Sequence, residues 1–193
     1  MRLDVLNRGY GPGAKLLFAL IRLFSRHPVP DAARLVFYRP DFYGTRAKEF
    51  THEAMRGPSA WSVADRELMA AYVSTVNESA FCIGAHSATA RQAYQDGPKV
   101  AAVLADLESA PVEDGLKATL RMLGKLTRDG ELGATDMRQV LSAGVSRQQV
   151  QDALAVCAAF NTTGRLADAF GFEVVRPGDF EAGASYLLRR GCR

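Results

Sequence analysis

With 193 residues the chain is long enough for one domain with a sizeable core, and 48% hydrophobic against 23% charged residues is ordinary globular composition. A formal net charge of +3 is too small to indicate nucleic acid by itself. Three cysteines, at 82, 157 and 192, form an odd, widely spaced set that fits a reducing cytosol rather than a disulfide framework.

Almost every periodic segment reads helical, and no run has the alternation of a strand. Leu16 to Phe24 is the first helix, ended by His27-Pro28-Val29-Pro30. Arg22 interrupts its apolar run, and no stretch approaches the ~20 apolar residues of a membrane span. It reads as an amphipathic or buried helix, with contact to a membrane surface as the lesser alternative. Asp31 caps a short helix, Ala32 to Val36, that breaks at Arg39-Pro40-Asp41. Residues 41 to 60 are mixed, with aromatic anchors at Phe42, Tyr43 and Phe50, and Gly57-Pro58 closes them.

Ser62-Val-Ala-Asp65 then opens a helix over 63–76 that carries Glu67. Asn77-Glu78-Ser79 offers a second cap, for a helix over 80–95 that carries Cys82 and His86 and stops at Asp96-Gly97-Pro98. After Pro111, Asp114 caps a helix through Leu126, ended by Asp129-Gly130. Thr135 opens a short one stopped by Gly144. Ser146 and Gln149 form a capping box for a long helix over 147–170 ended by Gly171. Residues 172 to 193 are a tail in which Tyr186-Leu187-Leu188 could add a helical turn. The expectation is an all-α helical bundle in one domain, 1–193, with a core over 40–172, an N-terminal helical extension over 1–39 and a tail over 173–193.

Glu67, Cys82 and His86 are the chemistry-bearing set. Residues four apart share a helix face, so the thiol and the imidazole can touch. An unperturbed thiol, with a pKa near ~8.5, is only a few per cent thiolate at neutral pH. A neighbouring His⁺ and the first turn of its own helix would lower that value, by about two units in favourable settings. A carboxylate from the adjacent helix, Glu67, would supply proton traffic. The expectation is therefore a Cys82 held ionised. The bland reading is a structural Cys-His pair. Zinc fits poorly, because three ligands at most are in reach and a single Cys-x-x-x-His lacks a partner pair.

Cys157, in Ala153-Leu-Ala-Val-Cys-Ala-Ala-Phe160, reads as a buried small hydrophobe, and Cys192 falls in the tail. His27 and His52 read as surface residues. Asn161 and Arg165 read as structural hydrogen-bonding residues that could alternatively reach the pocket or an interface. Tyr72 and Phe81 read as packing around it. Met137 to Val150 resembles a helix-turn-helix with Gly144 in the turn, yet the second helix runs into Ala-Leu-Ala-Val-Cys-Ala-Ala-Phe, a surface that wants a core.

The segment Glu67 to His86 resembles the alkylhydroperoxidase D-like (AhpD-like) family of the carboxymuconolactone decarboxylase superfamily. That family carries a Glu, then Cys-x-x-Cys, then a His four residues after the second Cys. Glu67 matches the glutamate, Cys82 the second cysteine and His86 the histidine. Asn77-Glu78 resembles the peroxidase-related branch, as do Leu141 to Ala153 and Phe160 to Gly171, so the resemblance covers roughly 40 to 172. Ser79 stands where the family's first cysteine would be, giving Ser-x-x-Cys. Serine cannot form the resolving disulfide, although its hydroxyl could donate to a thiolate or a bound oxygen.

The resemblance implies a cytoplasmic homo-oligomer with an AhpD-like helical bundle, working without metal or organic cofactor. It implies Cys82, His86, Glu67 and Ser79 as site residues, reducing hydrogen peroxide or alkyl hydroperoxides with an external thiol as reductant. A decarboxylase- or isomerase-like enzyme using Glu67 and His86 on a lactone stays open, as does a degenerate redox-sensing or oligomeric interaction protein. Neither nucleic acid nor membrane is expected as a partner.

Overall fold

Helices carry the computed structural model of the chain, which describes residues 1–174 and 176–191 with no strand among them. In chain order they are α1 Asp4–Arg8, α2 Pro12–Ser25, α3 Asp31–Tyr38, a π-helical turn Pro40–Gly44, and α4 Thr45–Arg56. They continue with α5 Val63–Val76, α6 Ala80–Tyr94, α7 Gly97–Ala105, α8 Asp114–Asp129, α9 Ala134–Ser142, α10 Arg147–Phe170 and α11 Pro177–Arg190. The architecture is the expected all-α bundle.

Several boundaries follow from the capping chemistry. Ser62 accepts from Asp65 N–H while the Asp65 carboxylate accepts from Ser62 N–H, a capping box that fixes the start of α5. Ser146 and Gln149 do the same for α10, whose end is set by Gly171 at φ +62. Other expectations are corrected. Residues 45–56, read as mixed, form the regular helix α4. The tail over 173–193 contains α11, four turns rather than one. Asp96-Gly97-Pro98 ends α6 but also starts α7, because Asp96 accepts from Lys99 N–H and a proline suits a first helical turn. Asp31 and Asp114 lie inside their helices rather than at the caps. The side chains of Phe42 and Tyr43, and Cys192, lie outside the described residues.

Helix α10 is the spine. Its 24 residues span about 36 Å, and α4, α5, α6 and α8 pack along it. Trp61 Nε1 donates to Gln149 O at one end of α5, and Asn77 Nδ2 donates to Asn161 Oδ1 at the other. The main core gathers Met55, Leu68, Met69, Leu120, Leu123, Val156 and Phe160, all fully buried or nearly so. Burying each such side chain contributes about 1.5–3 kcal/mol. A second, smaller cluster of Leu6, Leu35, Phe81, Cys82, Ala167 and Phe172 seals the N-terminal helices onto α6 and α10.

Between α5 and α6 the chain reverses in three residues, with Glu78 in the left-handed region at φ 56. This tight reversal lays α6 antiparallel to α5. Helix α11 then packs along the other side of α6, through Phe180, Glu181 and Ser185. Helix α2 packs Phe18 edge-on against Tyr10 and Phe37 and leaves Leu16, Leu20, Leu23 and Phe24 exposed. Among the described residues no helix is long and apolar enough to cross a membrane.

Candidate active site

Glu67 lies in the second turn of α5, 1% exposed, facing α6. Its Oε2 accepts from His86 Nδ1 at 2.7 Å, and its Oε1 accepts from Arg56 Nη2 at 2.6 Å. Burial alone would push this carboxyl's pKa up. The charges and hydrogen bonds of His86 and Arg56 overturn that and hold it below the ordinary carboxylate range. An ionised carboxylate only accepts, so Nδ1 is the protonated nitrogen of His86. Nε2 remains as the nitrogen able to take or give a proton. The imidazole is 12% exposed and stands edge-on to Phe160, with ring centroids 4.2 Å apart.

Arg56 went unnoticed in the sequence. It ends α4 and also donates to Met55 O at 2.9 Å and Leu187 O at 3.3 Å, so it ties α4, α5 and α11 together at the carboxylate. Nothing in its spacing marks it, because eleven residues and a helix break separate it from Glu67.

Cys82 does not meet the expectation of a held thiolate. It is 1% exposed, on the first turn of α6, inside the smaller apolar cluster with Leu6, Leu35 and Phe172. Burial pushes its pKa up to about 11. The hydrogen bond with Ser79 works against that rise, and the carboxylate of Asp168 adds to it. Start-of-helix placement was foreseen correctly; the apolar cover from α1, α3 and α11 was not. His86, one turn on, has its Nδ1 committed to Glu67. Dehydration therefore outweighs the ring and the helix terminus that were expected to ionise the sulfur.

Ser79 is fully buried and occupies the N-cap position of α6, yet its side chain makes no cap. Its hydroxyl turns instead to Asp168 Oδ1 on α10, at 3.0 Å. Asp168 is the second residue missed, since the stretch around it offers no acid-base pattern.

The remaining candidates scatter. Phe81 packs T-shaped on Phe172 and Phe180, covering the thiol side. Tyr72 faces Gly124 on α8, away from the dyad. Asn161 is structural: it donates to Thr127 Oγ1 and to Cys157 O and Sγ. Arg165 borders an open cleft of about 640 Å³ between α8 and α10. Cys157 is buried, as expected of a small hydrophobe. His27 pairs with Asp179, and its ring is partly exposed. Among the described residues no group of His, Cys, Asp or Glu could hold a metal ion. The segment over 137–150 packs Val140, Val145 and Val150 into the main core.

Residues 41–123 match the carboxymuconolactone decarboxylase family, a span that contains Arg56, Glu67, Ser79, Cys82 and His86. No curated protein sequence matches the chain. Among solved structures, it is similar to an uncharacterized peroxidase-related protein from Silicibacter sp. TM1040, with TM-score 0.78 and 23% identity over 93% of this chain and 95% of that one. It is also similar to an alkylhydroperoxidase AhpD core protein, uncharacterized and peroxidase-related, from Ralstonia eutropha JMP134. There the TM-score is 0.75, with 21% identity over 95% of this chain and 96% of that one. At such identities the likeness establishes the fold.

Proposed function

We propose that this chain, an AhpD-like member of the carboxymuconolactone decarboxylase superfamily, reduces hydroperoxides, with Cys82 as the attacking thiol and Glu67–His86 as its proton carrier. The observation that carries this reading is the buried dyad, complete with its Arg56 counter-charge, one helical turn from a cysteine. A pKa of about 11 leaves roughly one Cys82 in ten thousand ionised at neutral pH. The reaction is therefore base-assisted rather than run from a resting thiolate. His86 Nε2 takes the proton as the sulfur attacks the distal peroxide oxygen. The O–O bond breaks, the departing alkoxide or hydroxide receives that proton, and Cys82 becomes a sulfenic acid. Two external thiols then return it to the thiol, releasing water and their own disulfide. Ser79 cannot resolve the sulfenic acid, so the reductant must reach the site.

The test is consumption of hydrogen peroxide and of an alkyl hydroperoxide, with a dithiol reductant. Wild type should outpace Cys82→Ser and His86→Gln by at least tenfold. Equal rates for wild type and Cys82→Ser would remove the peroxidase reading.

One observation favours a second reading. The dyad is fully assembled without the thiol, which suits acid-base chemistry on a lactone or a related carbon acid. In that case Cys82→Ala keeps turnover and Glu67→Gln loses it. A cytosolic homo-oligomer belongs to the same proposal, and the outward apolar face of α2 is the surface available for assembly. Sedimentation of wild type against Leu20→Glu checks it: a smaller species is expected for the variant.

A further inference from the structure

Glu67 and Cys82 are each 1% exposed and the His86 side chain 12%, so neither a hydroperoxide nor a thiol reductant reaches them in the closed bundle. One element of the cover is fastened differently from the rest. Helix α11 packs along α6 and, among the described residues, along no other helix to a comparable extent. Of its 14 residues only Ala184 is buried. Gly178 and Gly183 lower its intrinsic helix propensity, so contact with α6 is what keeps it helical.

What α11 covers is the reactive part of α6. The Phe180 ring lies against Phe81, next to Cys82, with centroids 6.0 Å apart, and over Gly84, where no Cβ stands in its way. Phe180 also packs on the apolar cluster that encloses the sulfur. Two turns on, Leu187 O accepts from Arg56 Nη2 at 3.3 Å, the same nitrogen that donates to Glu67 Oε1 at 2.6 Å. One helix thus closes on the thiol side through its first turn and on the carboxylate through its last.

The polar contacts that hold α11 lie towards its surface. Arg91 Nη2 donates to Glu181 Oε1 at 2.7 Å, with 42% of each side chain exposed. Gln92 Nε2 donates to Glu181 as well, Ser185 Oγ donates to Gln92 Oε1, and His27 Nδ1 meets Asp179 Oδ1. Ion pairs so exposed are screened by water and contribute little to closure. The N-terminal part of the cover is pinned from within. Asp31, 6% exposed, accepts from Arg34 and from Glu173 N–H, and Arg2 N–H donates to Phe170 O. Leu6 and Leu35 are thereby held on the sulfur, while α11 is the part of the cover with least to break. We propose that α11 is a lid, leaving α6 as a unit while the rest of the bundle stays folded, and that this opening admits hydroperoxide and reducing thiol past Phe81 to Cys82 and His86. Its consequence for turnover rests on the peroxidase reading; the opening itself does not.

The experiment follows alkylation of Cys82 and Cys157 by iodoacetamide, resolved by mass spectrometry, in full-length chain carrying Cys192→Ser. Cys157 is the internal reference: it is 1% exposed too, but belongs to the main core, beside Thr127 of α8. A local opening exposes little surface, so labelling through it barely responds to dilute urea, whereas labelling through whole-molecule unfolding rises steeply. Cys82 is expected to react at least tenfold faster than Cys157 without denaturant, with a nearly flat response to urea below the unfolding transition. Phe180→Ala should accelerate Cys82 by a further tenfold or more and leave Cys157 unchanged. Glu181→Gln, a surface change that cuts the Arg91 pair, should act in the same direction by about twofold to threefold.

Equal rates for the two thiols, with the same steep urea response, would mean that only global unfolding bares the sulfur, and would overturn the lid. So would acceleration of Cys82 by Leu35→Ala with none in Phe180→Ala and Glu181→Gln, since the route would then lie through the N-terminal cover. Hydroperoxide turnover measured on the same samples keeps the two ideas apart. Fast, urea-independent labelling without turnover removes the peroxidase reading and leaves the lid. Turnover alongside a Cys82 that labels only as Cys157 does removes the lid and leaves the peroxidase.

Discussion

Glu67 and Cys82 are equally hidden from solvent, 1% exposed each, yet the structure drives their protonation in opposite directions. The carboxyl of Glu67 is held below its ordinary range and the thiol of Cys82 is raised to about 11. Burial opposes ionisation in both. What differs is the company: the Arg56 guanidinium and the Nδ1–H of His86 converge on Glu67, whereas Cys82 has aliphatic and aromatic neighbours and a carboxylate behind a hydroxyl. Adjacent turns of α6 thus border two electrostatic environments, one charged and cross-linked, one apolar. Pairing, not depth, decides which buried group carries charge.

Breaking the charged side should have the largest effect. Glu67→Gln leaves Arg56 buried without its counter-charge and removes the acceptor that orients His86. The expected cost is about 3–5 kcal/mol of folding stability, the range for a broken buried pair. Turnover should fall by about 10²-fold or more, the range for loss of an acid-base contribution. Denaturant unfolding and steady-state rates, measured together, check both. A variant as stable as wild type would mean that Glu67 is not charged in the fold.

Acid should dissolve the same contrast from the Glu67 side alone. Its folded pKa lies below the unfolded value near ~4.3, so its contribution is complete above that pH. It drains as pH falls through the folded value. The stability gap between wild type and Glu67→Gln should therefore be constant around neutrality and narrow below about pH 4. Cys82 contributes nothing in that window, because it is a neutral thiol throughout. Urea midpoints at descending pH test this, and a gap that widens in acid would contradict it.

The two environments were not equally legible in the sequence. Helices α5 and α6 announce themselves through the Ser62–Asp65 box, the turn at Asn77 to Ser79 and the Glu67, Cys82, His86 intervals, which rest on local chain geometry. Those intervals put Glu67 and His86 in one site, but the contact they suggested for His86 was with Cys82, not the observed hydrogen bond to Glu67. Arg56 was not foreseen, because α4 is polar on average and its buried residues, Ala54 and Met55, sit only at its end. The cover over Cys82 was hidden by distance along the chain. Leu6, Leu35, Phe172 and Phe180 lie 47 or more residues from it or beyond a full helix pair, and no local rule places them together. Helix α11 was obscured by Gly178 and Gly183, residues that lower helix propensity although tertiary contact with α6 sustains the helix. Ionisation depends on such distant contacts, so the thiol's state was the part most open to error.

Cys82→Ala sharpens the comparison from the apolar side. It removes a small neutral group from a packed cluster, so the cost should be about 1–2 kcal/mol, below that of Glu67→Gln and independent of pH near neutrality. Calorimetric unfolding at two neutral pH values checks it. A pH-dependent loss would reveal a thiolate where the structure has a thiol.

The smallest effect is expected where α11 meets α6. A Cβ added to Gly84 would lie 2.5 Å from the Phe180 ring, which itself stacks edge-on against Phe81. The ring must rotate or α11 must shift outward. Overpacking of this kind costs about 1–3 kcal/mol, and the lower end applies because Phe180 is only half-buried and can yield. Gly84→Ala should therefore leave the α5–α6 dyad intact while loosening the aromatic cover beside Cys82. The expected signature is split: Cys82 becomes alkylated faster, while the acid titration attributed to Glu67 is unchanged. Equal change in both would mean that the two turns of α6 move as one unit, and that the boundary between the charged and apolar environments is not mechanical.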